Sequence, residues 1–113
     1  MHIGTEFSET AAAAGSGATA THAAAAGSNG SPDRTHIVTA LSGWADADSV
    51  FQILGGSNGT TIIFESKIDF SVEGHSFHFA GLNVVGSPGA AVSGKLVTSS
   101  SDGQVNISGY SVP

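Results

Sequence analysis

Between Thr60 and Val72 the large apolar residues Ile62, Phe64, Ile68, Phe70 and Val72 fall on even positions, and Glu65, Lys67 and Asp69 on odd ones. A period of two places alternate side chains on opposite faces of an extended chain, so this run reads as strand with one buried and one wet face. No stretch repeats its apolar residues at helical spacing. The other apolar runs from Arg34 onward are short and separated by turn signals: Thr35 to Leu41, Ser49 to Leu54, Phe77 with Phe79, Leu82 to Val85, Ala90 to Thr98, and Gln104 to Val112. The runs before and after Gly55-Gly56-Ser57-Asn58-Gly59 predict a hairpin, because Asn-Gly tolerates the backbone angles that a tight turn needs. Asp102-Gly103 predicts a second hairpin, and Gly109 reads as a bulge that shifts Tyr110 and Val112 in phase. Seven or eight strands at nearly regular spacing predict an all-β chain, a small antiparallel β-sandwich or barrel-like module.

Residues 1–33 have a different character. Ala11-Ala12-Ala13-Ala14-Gly15-Ser16 recurs twelve residues later as Ala23-Ala24-Ala25-Ala26-Gly27-Ser28, and only Ile3 and Phe7 are large and apolar. Alanine runs this short do not hold a helix alone, and such a segment buries too little surface to offset its ordering entropy. The expected organisation is an N-terminal extended Ala/Gly-rich arm over 1–33 and a β-sandwich module over 34–113. Ile3 and Phe7 are the arm's candidate anchors on a partner.

Charge and composition exclude several functions. Only 11% of the residues are charged, against about 25% in an ordinary soluble domain. Three cations (Arg34, Lys67 and Lys95) against nine acids leave a net charge of −6. That is no footprint for phosphates, so nucleic acid and anionic membrane surfaces are not expected partners. The absence of cysteine removes disulfides and thiolate metal sites. No run of apolar residues is long enough for a membrane-spanning helix, and no positive segment precedes an apolar stretch as in a secretion signal.

No motif points to catalysis, and no enzyme activity, cofactor or metal is expected. His75 and His78 are three apart, which on a strand sends them to opposite faces; His78 is expected opposite Phe77 and Phe79. Asp46 and Asp48 lack the further oxygen ligands of a calcium loop and read as turn residues. Glu65, Asp69 and Glu73 have no aromatic cleft to serve as sugar-cleaving carboxylates. Gly55 to Gly59 is not followed by the lysine of a phosphate loop. Trp44, the only tryptophan, reads as a loop residue: a core anchor if buried, a contact hot spot if exposed.

The run Thr35-His36-Ile37-Val38-Thr39-Ala40-Leu41-Ser42-Gly43 opens the module. Gly-Gly-Ser-Asn-Gly then leads into Thr60-Thr61-Ile62-Ile63-Phe64-Glu65-Ser66, and Val105-Asn106-Ile107-Ser108-Gly109-Tyr110-Ser111-Val112-Pro113 closes it. In this style residues 34–113 resemble the small β-rich structural proteins of tailed bacteriophages, of the head decoration or cement type. The resemblance implies a β-sandwich on the capsid exterior of the virion. It also implies the major capsid protein as partner and self-association, a trimer above all. A head or tail fibre module that binds a receptor or carbohydrate is the alternative. The arm lies outside the resemblance; Ile3, Phe7 and Trp44 are the expected partner-binding residues.

Overall fold

The computed structural model describes residues 5–13, 17–24, 33–68, 76–97 and 102–113. Nine strands run through them: β1 (Thr5–Ala13), β2 (Ala18–His22), β3 (Thr35–Ala45), β4 (Ser49–Gly55), β5 (Thr61–Ile68), β6 (Ser76–Phe79), β7 (Val84–Val85), β8 (Val92–Val97) and β9 (Gly103–Val112). They form two antiparallel sheets. One has the order β1-β9-β3-β6, with β7 also on β3; the other has the order β2-β8-β4-β5. The all-β sandwich expected from the periodicity is the fold observed.

The core lies between the sheets. Phe7, Val38, Leu41, Val105 and Ile107 enter it from the five-stranded sheet, and Ala18, Ala20, Phe51, Ile53, Val92 and Leu96 from the four-stranded one. Phe51 is fully buried and meets Phe77 edge-on, with ring centroids 4.4 Å apart. β9 shows the governing pattern most plainly: Gly103, Val105, Ile107, Gly109 and Ser111 are buried, and the residues between them are half-exposed.

Several expectations are corrected here. The boundary at residue 34 is not a boundary of the fold. β1 pairs with β9 from Thr5↔Ser111 to Ala13↔Gly103, and β2 pairs with β8 from Ala18↔Leu96 to His22↔Val92. The segment needs little apolar payload of its own, because each of its strands joins the edge of a sheet and adds Phe7, Ala18 and Ala20 to a core that the other strands largely supply. Phe7 is accordingly a core residue and not an anchor on a partner, while Ile3 lies outside the described residues.

Gly109 does not bulge. The register shift falls on the facing strand, between Val38 and Ala40, so Tyr110 and Val112 keep their phase. A Cβ on Gly109 would run into the Ile37 carbonyl oxygen, which is why glycine sits beside the irregularity. The Gly55–Gly59 hairpin forms as expected, closed by Gly59 N–H donating to the Gly56 carbonyl and with positive φ at both glycines. A shift between Ile53 and Leu54 then inserts Ile63 as an extra residue on β5. This breaks the even-numbered phase and turns Ile62 outward, 52% exposed. Phe70 and Val72 lie outside the described residues.

Asp102-Gly103 is no hairpin turn either. β8 and β9 belong to different sheets, so the turn signal does not join two neighbouring strands. Asp46 fixes the start of β9 to the end of β3: its N–H donates to the Asp102 carbonyl, and its Oδ1 accepts from the Asp102 amide, both at 3.0 Å.

A candidate functional site on the outer sheet face

Residues opposite each other in an antiparallel pair point to the same face, so the register reads off the outer surface of the five-stranded sheet as rows. One row is Glu6–Tyr110–Ile37–Val85. Another is Thr10–Asn106–Ser42–His78, and beyond it lies Ala12–Gln104–Trp44–Ser76. Tyr110 and Gln104 are six residues apart on β9, so the first and last rows lie about 20 Å apart.

The last two rows are joined by hydrogen bonds between side chains. Asn106 Oδ1 accepts from Thr10 Oγ1 at 2.9 Å and from Gln104 Nε2 at 3.1 Å. Asn106 Nδ2 donates to Ser42 Oγ at 3.3 Å. Asn106 is thus the hub of a neutral ladder across β1, β9 and β3. A shallow hollow of about 280 Å³ opens beside it, with Ser42, Trp44, Ser76, His78 and Asn106 in its lining. A second open hollow, of about 490 Å³, lies over Glu6, Ser8, Thr39, Ser108 and Tyr110.

The two outer faces differ electrically. On the four-stranded sheet one row is Thr19–Lys95–Gln52–Glu65, with Gln52 Nε2 donating to Glu65 Oε2 at 2.6 Å, and Lys67 is exposed nearby. The rows of the five-stranded sheet carry hydroxyls, amides, an imidazole and aromatic rings, with Glu6 at one corner. A neutral polar face costs less to dehydrate than a charged one, and charge is what the centres of protein interfaces lack.

Trp44 is on this face. It was expected in a loop; β3 continues through it to Ala45, and the outward phase of the strand leaves it 41% exposed. Of the two roles open to it from sequence, the core anchor is excluded. His78 points outward beside it, opposite Phe77 and Phe79 as expected. His75 lies outside the described residues. Asp46 does the backbone-holding work foreseen for it, on an amide distant in sequence. Among the described residues no group of three or more His, Asp or Glu side chains is placed to hold a metal.

Sequence reasoning missed Thr10, Ser42, Gln104, Asn106 and Tyr110. The even positions of β9 are legible as the wet phase, but which residue of β1 or β3 stands opposite each one depends on a register the sequence does not state.

A second polar cluster is buried where β1 and β2 meet the body. His36 is 1% exposed; its Nε2–H donates to the Ala23 carbonyl at 2.8 Å, so its Nδ1 accepts from Ser111 Oγ at 2.6 Å. Burial holds the His36 pKa below the ordinary value of 6.5, against the opposing effect of the Ala23 hydrogen bond. His22 lies flat on Phe7 at 4.1 Å, meets His36 edge-on at 4.4 Å, and bonds Glu9 Oε2 through Nδ1 at 2.8 Å. A serine beside an imidazole suggests an activated nucleophile. Ser111, however, is buried at 4% exposure, and His36 spends its other nitrogen on a backbone carbonyl, so the pair has no face for a substrate.

No family model matches the chain, and no curated protein matches it. Among solved structures it is similar to a chain in the structure of infectious bursal disease virus, Gx strain, at 14% identity and a TM-score of 0.27. The similarity covers 93% of this chain and 29% of that one, so this chain spans less than a third of its neighbour's length.

Proposed function

We propose that the chain is a viral structural protein of the decoration or cement type. It docks on the outer capsid surface through the outer face of its five-stranded sheet and stabilises the shell. The observation that carries this reading is Trp44 standing exposed on a strand, beside a neutral hydrogen-bonded ladder, on the face with the fewest charges. A large amphipathic ring in a weakly hydrated setting is the usual anchor of a protein contact. The resemblance of residues 34–113 to phage decoration proteins supports the same reading and gives the partner as the major capsid protein, with self-association into trimers. In this reading the chain acts by burial and hydrogen bonding and not by catalysis. With Phe7 in the core, docking falls to the sheet face and not to an N-terminal arm.

The test is copy number on gradient-purified particles of the source virus, by quantitative mass spectrometry. Hundreds of copies per particle support a decoration lattice. A handful points to a fibre or tail role, and absence removes the viral reading. Trp44→Ala should then reduce shell binding by tenfold or more while the protein stays folded.

A second reading, a fibre module that binds carbohydrate, is favoured by the hollow itself. There an indole ring lies beside Ser42, Ser76, His78 and Asn106, a combination that stacks on and hydrogen-bonds a sugar ring. A glycan array without a hit removes it.

A further inference from the structure

The buried histidine cluster closes the seam between the N-terminal strands and the rest of the sandwich. Among the described residues β1 pairs only with β9 and β2 only with β8, so both are edge strands, and they contact each other on one flank. Four contacts at their far end converge on His36. They are the Ala23 carbonyl on Nε2, Ser111 Oγ on Nδ1, and T-shaped contacts with the His22 and Phe7 rings, whose centroids lie 4.4 and 5.6 Å away.

We propose that this cluster is an acid-sensitive clasp: a proton taken up at Nδ1 of His36 loosens the β1–β2 flank from β9 and β8 while the remaining strands stay assembled. The hydrogen bonds give the reason. In the neutral ring Nδ1 is the acceptor for Ser111. Once protonated it is a donor, and the buried hydroxyl must reverse its bond and find another acceptor. Both ring nitrogens are already taken, by Ala23 and Ser111, and neither partner carries a charge to offset the new one. Facing it are His22 from β2 and Arg34 ahead of β3, whose fields both disfavour a cation, while Arg34 itself bonds the Ser111 carbonyl. The carboxylate of Glu9 on β1 is engaged by His22 Nδ1. β9 offers Ser111, and β8 places Val92 opposite His22.

The sign follows from linkage. Enclosed, His36 binds its proton less readily than in water; with the flank open, its ordinary value of 6.5 returns. The closed form is therefore fully favoured above pH 6.5 and loses stability as the pH falls below it. Edge strands open at lower cost than the centre of a sheet, so the loss appears on the flank first.

The test is amide hydrogen exchange of the full chain by mass spectrometry at pH 7.5 and pH 5.0, with each rate corrected for intrinsic pH dependence. Peptides covering 5–13 and 18–22 should lose protection by tenfold or more at pH 5.0, while β4 keeps its own. The response should vanish in His36→Gln and persist in His22→Gln. Equal protection at both pH values overturns the proposal. So does an equal loss in β4, which would mean global unfolding, or a response that survives His36→Gln. Should His36→Gln fail to fold, NMR titration of the wild-type histidines decides. The proposal stands if flank opening shares the His36 midpoint and falls if it does not.

Discussion

β1 and β9 lie side by side from Thr5↔Ser111 to Ala13↔Gly103, yet they are built from different materials. β9 alternates Val105 and Ile107 against polar residues and is flanked on both sides. β1 is Thr-Glu-Phe-Ser-Glu-Thr-Ala-Ala-Ala and is flanked on one. The same contrast separates β2, rich in alanine and threonine, from β4, which buries Phe51 and Ile53. An edge strand needs register, small side chains and some means of discouraging further pairing, and Glu6 and Glu9 provide the last of these. A central strand must supply the core. Low hydrophobicity therefore does not mark a segment as lying outside the fold.

The sharpest way to break this comparison is to remove residues 1–24. Phe7, Ala18 and Ala20 leave the core and the edges of β9 and β8 are bared. The shortened chain should keep its strand signal in circular dichroism but unfold at much lower urea than any single variant. It should also associate with rising concentration in sedimentation. Phe51→Ala, at the centre, should cost about 3–5 kcal/mol in urea unfolding. Gly109→Ala should cost about 2–3 kcal/mol, because the added methyl meets the Ile37 carbonyl and not a side chain that can turn away. Phe7→Ala, on the edge strand, should cost less than Phe51→Ala and lower exchange protection mainly in β1 and β2; equal costs would erase the distinction between flank and body. The smallest effect on folding is expected from Trp44→Ala, within about 0.5 kcal/mol, since its side chain lies on the outer sheet face, 41% exposed and outside the core.

The periodicity made the fold class legible, because one buried face per strand leaves a record at every second residue. It failed where an inserted residue changes the phase. Ile62, Ile63 and Phe64 are all apolar, so nothing in their order shows which is the extra one, and the structure resolves it by facing both Ile62 and Phe64 to single partners on β4. Asp-Gly before Gln104 looked like a hairpin because local turn chemistry does not reveal whether the next strand returns to the same sheet. Trp44 was visible as a candidate from its rarity, but Asn106 and Ser42 were not. They are 64 residues apart in the chain, and only the pairing of β3 with β9 makes them neighbours.

The pairing of the first strand with the last also sets a timetable. Thr5 cannot meet Ser111 until the chain has been synthesised through Ser111, and contacts of such long sequence separation are slow to form. β1 and β2 are thus made well before β9 and β8, the strands they pair with. A valine- or isoleucine-rich strand left waiting that long would invite pairing with its counterparts on other chains. Alanine, threonine, glycine and glutamate offer little for such counterparts to hold. The composition of β1 and β2 then suits strands that must stay unattached until β9 and β8 arrive.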